Sequence, residues 1–408
     1  MKNIIVGQSG GPTAVINSSI GGVYKKAKEL GINKVYGMVH GIEGFLNENI
    51  IDLDEYLNKP ENYELLKRTP AAFLGSCRYK LPSIEGNEDI YEKIFSILKK
   101  YEIDALFYAG GNDSMDTIKM LSDYAKEHNK PQKFMGIPKT IDNDLPITDH
   151  CPGYGSAAKY IATSLKEIIR DNSSFDVTRQ TVCIVEIMGR HAGWLTAAAA
   201  LAKDDNCEGV DAIYLPEVDF NLKAFIDNIK KLAKEKAGIV IAVSEGIKTS
   251  DGKFVCELGD KERKIDAFGH KQLSGCATTL ANIVAKETGL KTRAIEFSTL
   301  QRSASHLASL TDIEEAETVG MKAVEEANNG KTGMMITIER KKGKNYQSIT
   351  NIYDIHNIAN VEKKVPLDWI DIKNNQMKKE FLDYARPLIQ GELLPIFKNG
   401  VPTHLVRK

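Results

Sequence analysis

Short apolar runs alternate along this chain with segments of helical periodicity, and this alternation constrains the fold more than any other feature. The strand candidates are rich in β-branched residues and lie at 4–6, 34–39, 105–109, 134–137, 182–187, 212–215, 239–243, 294–297 and 334–338. After the first run, apolar residues return every three or four positions from Val15 to Leu30, as one face of a helix requires. Strands that alternate with helices form βαβ units, whose parallel sheets are covered on both faces. We therefore predict an α/β fold with largely parallel sheets flanked by helices, and a late hairpin that pairs 334–338 with 346–349 through the turn 341–344.

Length and charge restrict the number of domains and the classes of partner. The chain has 408 residues, and at about 150 residues per domain this indicates two to three domains. Lys and Arg total 54 against 55 Asp and Glu, a net charge of -1, so a global basic field that would attract nucleic acid or an anionic membrane is absent. The six cysteines are scattered without a CxxC pair, which is typical of reduced thiols and not of a zinc or disulfide scaffold. The start of the chain predicts a strand rather than a signal peptide, so we expect a cytoplasmic protein with no nucleic-acid or membrane partner.

Two glycine clusters follow predicted strands. The first contains Gly7, Gly10 and Gly11, at a place where backbone N–H groups and a helix N-terminus can hold phosphate. Its spacing differs from G-x-G-x-x-G, so a dinucleotide fingerprint is not supported, and a tight turn without a ligand remains an alternative. The second, Gly110 to Ser114, offers oxygen ligands for a hard cation and a possible helix cap at Ser114, although a plain turn is equally compatible.

A third segment, 138–144, places a lysine and two carboxylates within six residues. In an extended loop Asp142 and Asp144 would point the same way, which could pair a general base with a metal or substrate contact. Three arginines follow strands or small-residue turns, and a guanidinium matches phosphate through its planar fork: Arg78, Arg190 and Arg302. Each feature alone fits a solvated loop or a structural ion pair. Together they indicate phosphoryl transfer.

These motifs, taken in order, resemble those of the phosphofructokinase family. The matching segments lie at 9–12 with Asn17, 73–78, 110–114, 138–144, 188–190, 216–220, 244–246 and 301–302. The tail, at 365–370 and 384–389, looks like that of the longer members that use pyrophosphate. The resemblance implies two Rossmann-like lobes with the active site in the cleft between them. We expect a pyrophosphate-binding lobe at 1–150 plus about 301–350, and a sugar-phosphate-binding lobe at 151–300 plus about 351–408.

Within that family, two positions separate the phosphoryl donors. ATP-using members have glycine where this chain has Asp113 and again where it has Lys139. A carboxylate at the first position would occupy the space of the nucleotide's α-phosphate and repel it. An ammonium at the second can bind pyrophosphate and neutralise charge as the bond to the leaving phosphate breaks. The pair therefore resembles the pyrophosphate type.

The resemblance also implies roles for individual residues. Asp142 is expected to take the proton from the 1-hydroxyl of fructose 6-phosphate, whose oxygen attacks the distal phosphorus of Mg-pyrophosphate. The expected catalytic residues are Asp142, Lys139, Asp113 and Arg190. The expected donor-binding residues are Gly11, Arg78, Gly111 and Lys139. The expected sugar-phosphate-binding residues are Thr140, Ile141, Asp142, Asp144, Met188, Gly189, Arg190, Glu245, Thr299 and Arg302. Asn112 is the expected contact to Mg²⁺.

Three departures from the family pattern leave alternatives open. Asn112 stands where ATP-using members have an acidic residue, Thr181 where bacterial ATP enzymes have an arginine that reaches a neighbouring subunit, and Thr299 where they have a histidine. A homodimer or homotetramer is expected by analogy alone. The alternatives are an ATP-dependent 6-phosphofructokinase, a kinase acting on sedoheptulose 7-phosphate, and a non-catalytic sugar-phosphate-binding regulatory subunit.

Overall fold

The computed structural model describes residues 1–174, 180–259, 275–343, 345–358 and 362–407. Lys344, in the predicted turn of the late hairpin, lies outside the described residues. The strands are β1 (Asn3–Gln8), β2 (Lys34–Met38), β3 (Ile50–Asp52), β4 (Ile103–Gly110), β5 (Lys133–Pro138), β6 (Thr181–Ile187), β7 (Ala212–Tyr214), β8 (Gly238–Ser244), β9 (Lys291–Glu296), β10 (Met334–Arg340), β11 (Ser348–Asp354), β12 (Ile370–Asp371), β13 (Gln376–Met377), β14 (Phe397–Lys398) and β15 (Val401–Pro402). The helices are α1 (Ile16–Glu29), α2 (Gly41–Leu46), α3 (Asp54–Leu57), α4 (Pro60–Leu66), α5 (Glu88–Lys100), α6 (Asn112–Glu127), α7 (Tyr154–Asn172), α8 (Trp194–Ala197), α9 (Leu222–Glu235), α10 (Cys276–Thr288), α11 (Leu300–Ser303), α12 (Leu310–Asn328) and α13 (Lys379–Ala385).

The larger sheet has seven strands in the order β11-β10-β5-β4-β1-β2-β3. The five central strands are parallel, and β3 and β11 pair antiparallel at the two edges. Along β1, Ile4 and Val6 enter one apolar cluster and Ile5 enters another on the opposite face. Because both faces are covered, the centre of this strand, at 4–6, is an unbroken apolar run, as is typical of parallel sheets.

The smaller sheet has four parallel strands in the order β7-β8-β6-β9. Along β6, Val182 and Ile184 pack on one side, and Cys183 and Val185 pack on the other. The predicted α/β class with largely parallel sheets is therefore confirmed. The late hairpin is also confirmed, because β10 and β11 pair antiparallel. The sequence reasoning missed β3 and the two-residue pairs β12/β13 and β14/β15, which are too short to show a period of two.

Two helices that are distant in sequence cross at glycines beside the larger sheet. A Cβ added at Gly22 in α1 would lie 2.0 Å from the carbonyl oxygen of Glu317 in α12. A Cβ added at Gly320 in α12 would lie 2.1 Å from the carbonyl oxygen of Ser19. The two helix backbones can approach so closely only because glycine has no side chain at these positions. The contact packs α12 against α1, and the chain then continues into β10.

The chain therefore contributes to the two sheets in three segments. Strands β1 to β5, together with β10 and β11, form the larger sheet, and strands β6 to β9 form the smaller one. The tail then packs on the core beside the smaller sheet, where Phe381 and Tyr384 join Trp194 and Ile187. The lobe boundaries proposed from the sequence stay a prediction. The six cysteines are not joined in disulfides, and within the described ranges no helix combines the length and apolar content that a membrane crossing needs.

Candidate active site

The segments that follow β1, β4 and β5 meet at one edge of the larger sheet. The backbone N–H of Lys139, directly after β5, donates to the carbonyl of Gly110 at the end of β4 at 3.1 Å. The Lys139 ammonium donates to the carbonyl oxygen of Gly11 at 2.6 Å. Because parallel strands end at the same edge, residues more than a hundred positions apart become neighbours. The first and second glycine clusters and Lys139 therefore lie together at this edge of the larger sheet.

Buried amides hold the loop of Arg78 against the first glycine cluster. Gln8 donates to Asn17 at 3.0 Å, and the two side chains accept the backbone N–H groups of Leu74 and Phe73 at 2.9 and 2.8 Å. Ser76 donates to the carbonyl of Gly10 at 2.6 Å, and Gly10 N–H donates to the carbonyl of Cys77 at 3.1 Å. Arg78 itself is exposed beyond this anchored turn.

Gly10 needs to be glycine on conformational grounds. Its φ is +74°, in the left-handed region, and an added Cβ would lie 3.5 Å from the Lys139 ammonium nitrogen. The added Cβ would be in ordinary contact with the cation, but a side chain would be strained in this backbone conformation. The turn that passes Lys139 therefore depends on this residue.

The helix α6 begins directly after the second glycine cluster. Gly111 is its N-cap and lacks a side-chain cap, so the expectation that Ser114 caps this helix is wrong: Ser114 lies inside the first turn and is buried against Gly110. Asp113 is exposed in that first turn. The side-chain oxygen Oδ1 of Asn112 is buried without a hydrogen-bond partner among the described residues. The helix N-terminus, with its unpaired N–H groups, thus faces the same edge as Lys139.

The loop with the two carboxylates is not extended. Asn143, between Asp142 and Asp144, has φ +56°, so the sequence argument that alternation along an extended loop aligns these carboxylates is wrong. The side chain of Thr140 accepts the backbone N–H of Asp142 at 3.0 Å and hydrogen-bonds the carboxylate of Asp144. A left-handed residue at the centre of the turn, and not strand geometry, brings the two acids together.

Burial and mutual repulsion shift the acid–base groups of this loop towards neutrality. Burial and the charge of Asp144 raise the pKa of Asp142 to about 7, against the opposing charges of Lys139 and Arg302. Burial also raises the pKa of Asp144. Burial lowers the pKa of Lys139 to about 8, with Asp142 opposing the shift. A carboxylate with a pKa near neutrality suits a general base, and a charged lysine beside it suits an anionic ligand.

The smaller sheet contributes a second set of polar groups at the ends of β6 and β8. The N–H of Gly189, after β6, donates to the Glu245 carboxylate, after β8, at 3.3 Å. Burial raises the pKa of Glu245 to about 7, and the negative charge of Asp142 adds to the shift. The two carboxylates therefore repel each other when both are ionised. The Arg190 carbonyl packs so closely on Gly246 that an added Cβ there would lie 1.9 Å from the carbonyl oxygen.

Arg302 joins the two halves of the site. Its Nη1 lies 3.1 Å from the position of a Cβ on Gly11, across the cleft. Burial and the nearby charge of Arg78 lower its pKa, and Asp142 opposes the shift. Gln301, its neighbour, accepts the N–H of Met188 at 3.3 Å. Arg302, which follows β9 of the smaller sheet, thus lies close to Gly11, which follows β1 of the larger sheet, and within the field of Asp142.

Two predicted contacts occupy different surroundings. Ile141 is 8% exposed and packs in the apolar cluster beside the smaller sheet. Its side chain therefore belongs to the hydrophobic core, and its backbone is part of the loop. Thr299 is exposed at the N-cap of α11, where its carbonyl accepts the N–H of Arg302 at 3.2 Å.

The sequence reasoning missed the residues that support the loop from behind. These are Asn143, Tyr384 and Lys363, which form hydrogen bonds with the segment 143–151. Asn143 lies within the segment 138–144, but the sequence pattern does not distinguish a buried asparagine there from one in a solvated turn. The other two lie more than two hundred positions away in the tail, and nothing local in the sequence points to the contact.

Among the residues that the structure describes, no group of three or more His, Cys, Asp or Glu side chains could hold a metal ion without a ligand's help. Magnesium commonly binds proteins through one or two oxygen ligands and takes the rest from phosphate and water. The buried, unpartnered Oδ1 of Asn112 fits that second mode.

Comparison with known proteins assigns the family. The sequence model described as Phosphofructokinase matches residues 3–327, more than half of the chain. The chain belongs to the phosphofructokinase family. Halomonas elongata has a relative, named pyrophosphate–fructose 6-phosphate 1-phosphotransferase, that is 40% identical over 402 residues, covering 98% of this chain and 94% of the relative. A relative of the same name from Methylococcus capsulatus is 39% identical over 406 residues, covering 99% and 95%.

A solved structure supports the same fold. The crystal structure of a pyrophosphate-dependent phosphofructokinase from Nitrosospira multiformis superposes with a TM-score of 0.88 at 37% identity, covering 99% of this chain and 95% of that one. The phosphofructokinase-like architecture predicted from the ordered motifs is therefore confirmed. The match spans the tail as well as the two sheets.

Proposed function

We propose that this phosphofructokinase transfers a phosphoryl group from pyrophosphate to the 1-hydroxyl of D-fructose 6-phosphate. The products are fructose 1,6-bisphosphate and inorganic phosphate. One phosphoanhydride is exchanged for one phosphate ester, so the reaction runs in both directions and serves glycolysis and gluconeogenesis. The observation that carries the choice of donor is the buried ammonium of Lys139, which contacts Gly11 at the donor edge and lies in the field of Asp142.

Asp142 acts as the general base. Burial and its acidic neighbour raise its pKa to about 7, so it is a stronger proton acceptor than an exposed aspartate and is still partly ionised at neutral pH. It takes the proton of the 1-hydroxyl as the oxygen forms its bond to the distal phosphorus. The bond from that phosphorus to the bridging oxygen breaks, and the electron pair leaves with inorganic phosphate.

Lys139 and the glycine turns hold the donor. The ammonium stabilises the charge that develops on the leaving phosphate, in a buried site where a fixed cation needs little reorganisation. Gly11, Gly111 and Arg78 supply backbone and guanidinium contacts around it. Asp113, exposed at the start of α6, occupies the space into which a nucleotide's α-phosphate would extend and repels it.

The sugar phosphate binds across the cleft. Arg190 and Arg302 would pair with the 6-phosphate, and Glu245 would accept a sugar hydroxyl. Met188, Gly189, Thr140, Ile141 and Thr299 line the remaining surface. Asp144 orients the loop and contacts substrate or metal.

Magnesium would be held by Asn112 Oδ1, the Asp144 carboxylate and the pyrophosphate oxygens, where it would neutralise the charge of the donor. Both substrates are polyanions that do not cross lipid bilayers, so a cytoplasmic location forms part of the proposal, as does assembly into a homodimer or homotetramer.

The proposal is tested by initial rates with fructose 6-phosphate and Mg²⁺, comparing pyrophosphate with ATP and detecting fructose 1,6-bisphosphate through coupled aldolase. Turnover with pyrophosphate alone is expected. Turnover with ATP alone would overturn the donor assignment, and binding of fructose 6-phosphate without turnover would indicate the regulatory alternative. Sedoheptulose 7-phosphate, measured in parallel, tests the acceptor.

A paired substitution separates the two donor residues from the rest of the site. Asp113→Gly with Lys139→Gly is expected to reduce turnover with pyrophosphate sharply and to open space for ATP. Pyrophosphate turnover within a few-fold of the unmodified protein would show that these residues do not select the donor. Glu127→Gly at the far end of α6, where the residue is exposed, is the matched control for inserting glycine into that helix.

A further inference from the structure

Tyr384 lies directly behind the loop that carries the two active-site carboxylates. It belongs to α13 in the tail, beyond residues 3–327 that match the family model. Its hydroxyl accepts a hydrogen bond from the Asn143 amide nitrogen at 2.8 Å and donates one to the carbonyl of Asp149 at 2.8 Å. Both capacities of the phenol are therefore used on one loop, at its centre and near its end.

Asn143 converts that contact into control of the loop conformation. It is fully buried (0% exposed) and stands between Asp142 and Asp144 with φ +56°. Its side-chain oxygen accepts the backbone N–H of Cys151 at 2.9 Å. The amide thus ties the centre of the loop to its end, and Tyr384 holds the amide in place.

A second residue of the tail reinforces the same loop. Lys363 donates its backbone N–H to the carbonyl of Asp144 at 2.7 Å, and its ammonium donates to the carbonyls of Thr148 and Asp149. Trp194, from the core beside the smaller sheet, donates its indole N–H to the carbonyl of Lys363 at 2.8 Å. The loop is therefore braced against the sugar-phosphate side of the cleft by residues that the tail supplies.

We propose that Tyr384 is a positioning residue for the general base, acting through Asn143. The inference rests on the proposed function, since it assigns Tyr384 a part in the step that Asp142 performs. Without the phenol hydroxyl, the Asn143 amide loses the partner that fixes its orientation, and a left-handed residue is costly to hold unless its surroundings determine it. Asp142 and Asp144 on either side then sample displaced positions. A displacement of about 1 Å at a reacting group reduces the rate by up to about a hundredfold.

The test is Tyr384→Phe, which removes one oxygen and keeps the ring. Its matched control is Tyr154→Phe, because Tyr154 is buried in the same apolar cluster as Tyr384 and its hydroxyl donates to the carbonyl of Trp194 at 3.2 Å and not to the loop. We expect Tyr384→Phe to lower kcat by about ten- to hundredfold with KM for both substrates within about threefold, because orientation of the base acts mainly in the transition state. We expect Tyr154→Phe to leave kcat within about twofold.

Two further measurements distinguish positioning from general destabilisation. In the double substitution with Asn143→Ala, the loss in kcat should be smaller than the product of the two single losses, since both act through one contact. Hydrogen exchange of the peptide 139–151, measured in the whole protein without substrates, should be faster in Tyr384→Phe than in Tyr154→Phe.

The outcomes separate this inference from the proposed function. If the unmodified protein does not turn over pyrophosphate, the proposed function fails, while loop exchange still tests whether Tyr384 holds the loop. If the unmodified protein is active and Tyr384→Phe retains kcat, or loses it no more than Tyr154→Phe does, the positioning role is refuted. Multiplicative losses with Asn143→Ala would also refute it.

Discussion

Replacing Lys139 by methionine tests the central element of the site. Lys139 is 3% exposed in the folded chain, and methionine keeps most of the length and the apolar stem of the side chain while it removes the ammonium. The substitution removes the hydrogen bond to the carbonyl of Gly11 and the cation that opposes the raised pKa of Asp142. Activity and stability are expected to respond in different ways.

The expected loss of activity follows from the charge. Two unit charges at about 4 Å interact by about 4 kcal/mol at an effective dielectric constant of about 20, and loss of one preorganised donor to a developing anion lowers kcat by about 10²–10³. We expect a decrease in kcat with pyrophosphate of that order. The free energy of unfolding should change little, because the unpaired Gly11 carbonyl costs about 1–3 kcal/mol while the burial of an ammonium, the main cause of its lowered pKa, is relieved.

The pH dependence supplies an independent readout. The pKa of Lys139 is lowered to about 8, so the ammonium is present below that pH and is lost as pH rises through it. In the unmodified protein kcat/KM for pyrophosphate, which reports ionisations of the free enzyme, should fall above about pH 8. Lys139→Met should lack this descending limb. Pyrophosphate titrates too, but it does so equally for both proteins, and the ratio of the two profiles isolates the lysine.

Lys133→Met is the matched control, because Lys133 lies at the opposite end of the same strand, β5. It should retain both the rate and the descending limb. Lys139→Met would contradict the prediction if its kcat stayed within about threefold of the unmodified protein or if its pH profile still fell above about pH 8. The prediction would also fail if thermal unfolding showed that the lower rate came from a smaller fraction of folded protein.

Three further outcomes are expected. Asp142→Asn should lower kcat by about 10²–10⁴ in initial-rate assays. The thermal unfolding midpoint at pH 8 should stay equal or rise, because a buried acid whose pKa is raised to about 7 destabilises the fold when it is ionised. A lower midpoint would contradict this. Gly320→Ala should reduce the free energy of unfolding in urea by about 1–3 kcal/mol, since its Cβ would lie 2.1 Å from the Ser19 carbonyl oxygen, and an unchanged midpoint would mean that the helices separate freely. His150 is buried between Asp149 and Glu315; burial lowers its pKa, but the charges and hydrogen bonds of the two acids outweigh this and raise the pKa to about 9. Its stabilising contribution is therefore complete below about pH 6.5 and is lost as pH rises through 9. Across that window the free energy of unfolding should fall by up to about 3 kcal/mol, and His150→Gln should flatten this pH dependence.

Local sequence was sufficient for the parts of this protein that depend on neighbours along the chain. A strand such as β6 is buried at every position, and five of its seven residues are apolar, because both faces are covered. Its class and the parallel sheet were therefore predictable from the local sequence. The glycine and polar residues after β1, β4 and β5 were predictable as one site, because the carboxyl ends of parallel strands share an edge. The order of these motifs was specific enough to indicate the family.

Contacts between distant segments were decided by tertiary structure. The left-handed conformation of Asn143 is one example, since an Asn-Asp pair in a polar loop fits several turn geometries and the buried partners that select this one come from elsewhere. Arg302, after β9 of the smaller sheet, lies close to Gly11, after β1 of the larger sheet, and nothing local in the sequence brings these positions together. Short sequence motifs therefore specify which chemical groups the site contains. Their distances, burial and pKa values exist only once the two lobes and the tail are packed, because desolvation and Coulomb interactions depend on neighbours in space.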